Sequence, residues 1–259
     1  MLLNKWRLID TGVGSASYNM AVDEALLENF KVDSLPILRL YRWEDSLSFG
    51  RYSDVKKSVN LELLFKKNLS YTRRMTGGGV LIHGGDLSYS LLLPKEILKE
   101  FGVKESYRYL CAFLINFYKK LGLHAEFAQE LKLENAKSNI CMASNEAYDI
   151  VIDGKKIGGN AQRHTKTVLF QHGSVPLSLK DELFEELFLE DAGLDRVAIL
   201  DRIIEKMTCE RLTLSLIEAF GETFDATFAA GGLSPLERSS ADELLKRKYT
   251  QKGWNIDAK

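Results

Sequence analysis

Hydrophobic and polar positions alternate along several stretches in the first two thirds of the chain, as they do in β-strands. In residues 87–93, leucine or tyrosine occupies every odd position and Ser88 and Ser90 lie between them, which predicts a half-buried strand. Residues 37–43, which follow Pro36, and residues 168–175 are also rich in apolar and β-branched side chains. The pattern therefore predicts a sheet.

Helical periodicity is clearest in residues 107–121, where apolar side chains recur every three or four positions and Gly122 follows as a stop. Ser17 is a predicted N-cap for a helix that runs to Asn29. The polar face of that helix is predicted to carry Asp23, Glu24 and Glu28. A further helix is predicted over residues 61–67, and the pattern becomes mostly helical from Lys180 onward.

This order of elements predicts an α+β fold with a mixed or antiparallel β-sheet and helices packed on it. Residues 1–259 contain no linker-like stretch rich in proline, glycine or serine, so we expect a single domain. Roughly residues 180–259 are predicted to form a mostly helical C-terminal part that packs on the sheet.

Composition narrows the class of protein further. The 35 lysines and arginines nearly balance the 36 aspartates and glutamates, which disfavours a nucleic-acid partner held by bulk positive charge. No apolar run reaches the roughly 20 residues that span a bilayer, and the charged first ten residues do not resemble a signal peptide. Three cysteines cannot all pair within the chain, so we expect a reduced, cytoplasmic protein without a membrane partner.

The first segment with candidate chemistry runs from Arg73 to Gly79 and contains two arginines and three consecutive glycines. Glycines let a ligand approach the backbone N–H groups, and arginines attract an anionic or carbonyl-bearing group. The alternative is a flexible surface turn with solvated arginines. The spacing matches neither the P-loop nor the dinucleotide-binding motif.

The second segment, residues 154–162, follows Asp153 and begins with a predicted hairpin turn at Asp153-Gly154. Strand alternation sends Lys155 and Lys156 to opposite faces, so one of them can point inward. A lysine in a partly apolar pocket has a lowered pKa and can transfer protons. The alternative is a solvated hairpin tip with two exposed lysines.

The three cysteines differ in their surroundings. Cys111 lies on the apolar face of the helix predicted over 107–121 and is expected in the core, and Cys209 is expected to be structural. Cys141 lies in a polar stretch outside any clear periodic element, where we expect its thiolate to be accessible, although a free loop cysteine is more often incidental than catalytic. The four histidines show no metal-binding spacing, so no metal site is predicted.

Together these segments resemble the lipoate- and octanoate-transferring branch of the biotin/lipoate protein ligase family. The resemblance extends over residues 19–25, 39–43, 48–52, 73–83, 154–162, 171–174 and 248–255. It implies a central mixed sheet flanked by helices, and an acyl pocket enclosed by Arg73, Arg74, Thr76, Gly77, Gly78, Gly79 and His83. It also implies that Lys156 contacts the acyl carbonyl and that Gly158, Gly159, Asn160 and Ala161 line the same pocket.

Two kinds of enzyme share this pocket. A lipoate-protein ligase uses ATP and Mg²⁺ to make lipoyl-adenylate, whereas an octanoyltransferase takes octanoyl from acyl carrier protein through a cysteine thioester and needs no cofactor. Cys141 lies fifteen positions before Lys156. That placement is similar to the nucleophile of the octanoyltransferases that resemble lipoate ligases, although Met142-Ala143 and Gly84-Gly85 depart from the pattern.

The resemblance therefore implies an octanoyltransferase of lipoate biosynthesis, with Cys141 and Lys156 as its catalytic residues. Its expected donor is octanoyl-acyl carrier protein. Its expected acceptor is a lysine on a lipoyl domain, in glycine cleavage H protein or in the E2 subunit of a 2-oxoacid dehydrogenase. The alternatives are an ATP-dependent lipoate ligase, an amidotransferase that moves acyl groups between protein lysines, and a non-catalytic acyl-binding protein.

Overall fold

The architecture is described from a computed structural model, which covers residues 4–130, 148–189, 191, 193–205 and 207–258. The strands are β1 (Lys5–Gly14), β2 (Ile37–Trp43), β3 (Ser46–Phe49), β4 (Ser70–Arg73), β5 (Val80–His83), β6 (Asp86–Pro94), β7 (Ala125–Phe127), β8 (Ile150–Ile152), β9 (Lys155–Lys156), β10 (Gly159–His164), β11 (Val168–Pro176) and β12 (Thr227–Gly231). The helices are α1 (Ala16–Asn29), α2 (Val55–Ser58), α3 (Leu61–Lys66), α4 (Val103–Lys120), α5 (Asp181–Leu187), α6 (Cys209–Phe224), α7 (Pro235–Leu244) and α8 (Lys252–Asn255).

Over the described ranges, the central sheet has six strands in the order β10-β11-β6-β2-β1-β12. The strands from β10 to β2 pair antiparallel, whereas β1 pairs parallel with both β2 and β12, so the sheet is mixed as predicted. Two smaller sheets, β4-β3-β5 and β7-β8-β9, lie beside it. They carry the glycine-rich segment and the Lys156 hairpin.

Strand β6 is buried on both faces, not on one as its alternation predicted. Leu91 packs into the core cluster shared with α4 and α6, and Leu92 packs into the cluster shared with α1 and α7. Ser88 and Ser90 are buried as well, and both form hydrogen bonds with polar side chains from neighbouring elements. Small polar residues in this strand therefore belong to a buried network and do not mark a solvent face.

Helix α1 differs from its prediction in two ways. Its N-cap is Ser15, whose side chain accepts a hydrogen bond from the backbone of Tyr18, and Ser17 lies inside the first turn. The prediction that Asp23 and Glu24 lie on a polar face is also wrong, because Asp23 is completely buried and Glu24 is nearly so. Each carboxylate has a cationic partner from a distant part of the chain, which removes the penalty of burying it unpaired.

Helix α4 confirms the predicted helix and extends it at its N-terminus to Val103, and Gly122 adopts a φ of +78° just beyond its end. Cys111 is fully buried on its inner face, as predicted. The C-terminal part contains the predicted helices and also β12, a short edge strand that the sequence pattern missed. Within the described part of the chain, none of the helices has the length and apolar character needed to cross a bilayer.

Candidate active site

A cavity of about 580 Å³ opens at one end of the central sheet, where the two smaller sheets meet it. Its walls come from β2, the β4–β5 loop, β5, β6, β10, β11, the start of α4 and the Lys156 hairpin. The lining residues include Tyr41, Trp43, Arg74, Gly77, Gly78, Gly79, Leu81, His83, Tyr107, Asp149, Lys156, Gly159, Asn160, Ala161, Gln162 and His172.

The glycine loop between β4 and β5 forms one wall of the cavity. It packs so closely on Gly50 that a Cβ at that position would lie 1.7 Å from the Gly78 carbonyl oxygen. The backbone N–H of Gly50 donates to the carbonyl of Gly79 at 3.0 Å, and that of Arg51 donates to Thr76 at 2.8 Å. The backbone of Gly50 and Arg51 therefore holds the loop in place, which argues against the alternative of a flexible surface turn.

Arg74 fixes this loop from inside. Its guanidinium donates to the carbonyl oxygens of Gly77 at 3.3 Å and Gly79 at 2.9 Å, and to the hydroxyl of Ser48 at 2.7 Å. With those carbonyls turned toward it, this buried side chain holds the curved loop together with the backbone of Gly50 and Arg51. Arg74 also lines the cavity.

Arg73 points the other way, because adjacent residues on a strand face opposite sides. Its guanidinium is completely buried and donates to main-chain carbonyls of Gly50, Ser53 and the C-terminal segment at Trp254 and Asn255. Among the residues described, Arg73 is not part of the cavity lining. Its observed contacts are structural, and the substrate-binding role suggested by the resemblance is not supported by its position.

His83 forms part of the cavity wall and is held on three sides. Its ring stacks on Trp43 with centroids 3.9 Å apart, its Nε2 lies 2.7 Å from the Ser48 hydroxyl, and its Nδ1 lies 2.8 Å from Asp86. Ser48 also accepts from Arg74, so one hydroxyl connects the His83 ring to the arginine that contacts the glycine loop. Both ring nitrogens have partners, which favours a role for His83 in the cavity wall over a role in proton transfer.

Asp86 completes this network behind His83, where it lines the smaller neighbouring cavity. Burial alone would raise the pKa of Asp86, but His83 and the hydroxyl of Ser174, 2.7 Å away, bring it below the usual value. The carboxylate therefore stays ionised and orients the His83 ring.

His172 joins the cavity to helix α1. Its Nε2 lies 2.7 Å from the hydroxyl of Thr76, and its Nδ1 lies 3.5 Å from Asp23, which pairs with Arg39 at 2.6 Å. Burial lowers the pKa of His172, against the opposing effect of Asp23. Thr76 thus supports the loop through a histidine, and it does not itself line the cavity.

Lys156 enters the cavity from the predicted hairpin. Asp153 and Gly154 both have positive φ, at 49° and 74°, and the turn leaves Lys155 exposed and Lys156 only 3% exposed. The prediction that the two lysines face opposite sides is confirmed. The Lys156 ammonium lies 2.7 Å from the carboxylate of Asp149.

Sequence reasoning missed Asp149, although a signal was present. Val151 pairs with Lys156 across the hairpin, and residue 149 shares the face of Val151 because side chains alternate along a strand. An acidic residue two positions before the cross-strand neighbour of a buried lysine is placed to pair with it. Trp43, Tyr41 and Tyr107 were missed as well, because each lies in an element whose pattern indicates only a core.

The segment after Lys156 lines the opposite wall. Gly158 has a φ of +80°, and a Cβ there would lie 2.1 Å from the Ser174 carbonyl oxygen, so the close approach of β10 to β11 requires glycine. Gly158 faces a smaller neighbouring cavity, whereas Gly159, Asn160 and Ala161 line the main one. Asn160 is held by the hydroxyls of Tyr89 at 2.7 Å and Tyr107 at 3.1 Å.

Cys141 lies outside the described residues, so its predicted role has no geometry here. Cys209 is half-buried at the start of α6 and does not line the cavity. In the portion of the chain that is described, no three histidine, cysteine, aspartate or glutamate side chains are grouped to hold a metal ion.

Comparison with known proteins defines the family. Residues 15–221 match the lipoyl protein ligase A/B catalytic domain. The chain belongs to that family. It is 35% identical to the octanoyltransferase LipM of Kyrpidia tusciae, over 98% of this chain and 99% of the relative. It is 32% identical to the octanoyltransferase LipM of Bacillus subtilis, over 96% and 97% of the two chains.

Solved structures confirm the fold. A lipoate-protein ligase A bound with ATP is 25% identical and superposes with a TM-score of 0.84 over the full length of both chains. The bipartite lipoate protein ligase of Thermoplasma acidophilum is 23% identical, with a TM-score of 0.82 over 100% of this chain and 98% of its own. The resemblance stated from the sequence motifs, and the mixed sheet flanked by helices that it implied, are both confirmed.

Proposed function

We propose that this protein is an octanoyltransferase of lipoate biosynthesis that carries octanoyl from acyl carrier protein to the lysine of a lipoyl domain through Cys141. Relatives that match nearly the whole chain at 32% and 35% identity are octanoyltransferases. The structural observation that carries the proposal is an acyl-sized cavity into which Lys156 projects, paired with Asp149. A buried cation beside aromatic walls suits a ligand with an apolar chain and a carbonyl end.

The first step forms the enzyme thioester. The Cys141 thiolate attacks the carbonyl carbon of the octanoyl thioester, the bond from that carbon to the carrier sulfur breaks, and the carrier leaves as a thiolate that takes up a proton. One thioester replaces another, so the step is close to neutral in free energy and needs no ATP.

The second step forms the amide. The deprotonated amine of the acceptor lysine attacks the carbonyl of octanoyl-Cys141, the carbon–sulfur bond breaks, and Cys141 leaves as a thiolate. The proton lost from the attacking nitrogen passes to solvent or to a nearby basic group. An amide is more stable than a thioester, so this step drives the transfer to completion.

Two groups of the described residues assist both steps in this proposal. The ammonium of Lys156, oriented by Asp149, donates to the carbonyl oxygen as it gains negative charge. The glycine loop can bring backbone N–H groups close to the same oxygen because Gly77, Gly78 and Gly79 have no side chains.

Binding of the octanoyl group is attributed to burial of its hydrocarbon chain in the cavity. Tyr41, Trp43, Leu81 and Tyr107 supply apolar surface in the cavity wall. At about 0.8 kcal/mol for each buried methylene, an octanoyl chain contributes several kcal/mol of affinity.

The test is the intact mass of the protein after incubation with octanoyl-acyl carrier protein in the absence of ATP. We expect one octanoyl adduct that maps to Cys141, and its transfer when a lipoyl domain is added. Cys141→Ser removes both the adduct and the transfer, whereas Cys209→Ser, away from the cavity, keeps both. Normal transfer by Cys141→Ser would overturn the thioester mechanism.

The second candidate is an ATP-dependent lipoate ligase, which the 25% identical ligase structure with bound ATP favours. Lipoylation of the acceptor from free lipoate, ATP and Mg²⁺, unaffected by Cys141→Ser, would support it. Supplying octanoyl on a lipoyl domain as the donor tests the amidotransferase alternative. Tight binding of octanoate without turnover to any acceptor would indicate an acyl-binding protein.

A further inference from the structure

A second concave surface, with a volume of about 720 Å³, adjoins the cavity at the far end of β10. It lies between the β10–β11 turn, the short helical turn Lys95–Leu98 and the start of α4. Three exposed apolar side chains from two segments line it, namely Val32 after α1 and Phe101 and Val103 at the start of α4, which are 51%, 38% and 65% exposed. We call this surface the β10 groove. An exposed apolar cluster of this kind is typical of a protein-binding surface.

The rim of the β10 groove is positively charged. Lys95, Lys99 and Lys166 are exposed along it, and Glu96, the acidic residue among its lining groups, pairs with Lys99 at 3.0 Å. His164 also lines the groove, where burial and Lys95 lower its pKa, so it adds no charge near neutral pH. The net positive rim complements an acidic partner.

The β10 groove is continuous with the cavity. Asn160, Gln162 and His164 share one face of β10 because side chains alternate along a strand, and the first two line the cavity while the third lines the groove. The Nε2 of His164 lies 2.9 Å from the Gln162 side-chain oxygen. Val103 lines both surfaces, so the two adjoin at the start of α4.

We infer that the β10 groove docks the acidic carrier domain that delivers the octanoyl group. This inference rests on the proposed function and adds the place where the donor binds. Acidic side chains of the carrier contact Lys95, Lys99 and Lys166, and its apolar residues cover Val103 and its neighbours. The prosthetic arm then follows β10 into the cavity.

The distance between the β10 groove and the acyl site favours the octanoyl donor over the lipoyl-domain acceptor as the protein that docks on the groove. From His164 to Asn160 the strand advances about 13 Å, at roughly 3.3 Å per residue. The side chain of an acceptor lysine is shorter than this distance, so a lipoyl domain seated on the groove could not bring its amine to the acyl carbonyl beside Lys156. A thioester at the end of a long phosphorylated arm spans the distance, and the arm phosphate adds negative charge next to the lysines.

The test compares two octanoyl donors with and without the carrier domain. In the variant Lys95→Glu/Lys99→Glu/Lys166→Glu, we expect the KM for octanoyl-acyl carrier protein to rise roughly tenfold or more, because attraction becomes repulsion. The kcat/KM for octanoyl-pantetheine, which has neither carrier nor phosphate, should stay within twofold of the unmodified enzyme. The KM for the lipoyl domain should also stay unchanged.

A matched control reverses three exposed lysines away from the groove, in Lys66→Glu/Lys119→Glu/Lys246→Glu. It changes the net charge equally and should leave the donor KM near its original value. Added salt should raise the donor KM of the unmodified enzyme and lower that of the groove variant, because it screens attraction in the first and repulsion in the second.

The other outcomes overturn the inference. An equal loss with octanoyl-pantetheine would mean that the substitutions disturb the cavity, and an increase in KM confined to the lipoyl domain would assign the groove to the acceptor. If the unmodified protein transfers from neither donor, the proposed function fails. In that case fluorescence anisotropy with labelled acyl carrier protein still tests whether the carrier docks on the β10 groove. Equal affinity of the carrier for the unmodified protein and for the groove variant would contradict docking there.

Discussion

The carboxylate of Asp149 lies 2.7 Å from the ammonium of Lys156, and both side chains are almost completely shielded from solvent. The two residues belong to one small hairpin, so the chain brings the pair together over a short sequence distance. A buried ion pair contributes little net stability, but removal of one partner leaves the other charge in a poorly solvated place. This property lets stability and catalysis be measured separately.

We expect Lys156→Met to lower the free energy of unfolding by about 3 kcal/mol and to reduce octanoyl transfer at least a hundredfold. The double variant Lys156→Met/Asp149→Asn should regain most of the stability and none of the activity. Denaturant titration and the transfer assay check the two expectations. Lys155→Met, on the exposed face of the same strand, is the control, and a double variant that regains activity would contradict a catalytic role for Lys156.

Stability should fall as the solution is acidified below about pH 6.5, the ordinary pKa of histidine. Burial lowers the pKa of His172 in the folded protein, so the unfolded chain binds the proton first and gains stability as the pH falls. The slope should reach at most about 1.4 kcal/mol per pH unit for this one proton. Unfolding free energies measured between pH 5 and 8 check this.

His172→Gln should flatten the profile in that range. A second decrease in the free energy of unfolding should begin as the pH falls below about 4. The pKa of Asp23 and of Asp86 is lowered in the folded protein, since paired cations and hydrogen bonds outweigh the effect of burial, and that stabilisation is lost on protonation. An unchanged slope in His172→Gln would show that another group titrates there.

The contact between Gly50 and the glycine loop predicts a substitution that the loop does not tolerate. In Gly50→Ala the new methyl group would overlap the Gly78 carbonyl, so either the loop or β3 must move. We expect a decrease of several degrees in Tm and a rise in the donor KM. Gly77→Ala is the matched control for Tm, because a Cβ there meets no atom within 4 Å; equal losses of Tm in the two variants would argue against the steric cause.

The two adjacent arginines should give different phenotypes. Arg73→Lys removes a guanidinium that bridges Gly50, Ser53 and the C-terminal segment, so we expect a loss of about 2 kcal/mol in unfolding free energy, with the donor KM changed less than twofold. Arg74→Lys removes the clamp on the glycine loop inside the cavity, and kcat/KM should fall at least tenfold. Steady-state kinetics and denaturant titration of both variants check the contrast. If Arg73→Lys were the variant with the raised KM, the structural assignment of Arg73 would be wrong.

Local features of the site could be read from the sequence, because their causes are local. The Asp153-Gly154 turn follows from backbone preferences of two residues, and the inward direction of Lys156 follows from strand alternation. The same alternation separates Arg73 from Arg74, and it could have placed Arg73 outside the cavity. The family motifs added the pocket as a whole, since their order along the chain is specific.

Features that depend on distant partners could not be read in this way. Asp23 and Glu24 look like surface residues of an amphipathic helix until Arg39 and Lys248 are placed beside them. Strand β12 has too short and too exposed a pattern to be recognised, and only its pairing with β1 makes it a strand. Tertiary contacts decided each of these positions, and no local pattern contains that information.

The parallel pairing of β1 with β12 has a consequence for synthesis of the protein. Lys5 pairs with Thr227, so the outer edge of β1 is covered only after a strand 222 residues later in the chain has been made. At about 5–20 residues per second, the interval is roughly ten to forty-five seconds. During that time the nascent chain carries an open strand edge of the kind that promotes aggregation, and the edge closes only when residues 227–231 have emerged.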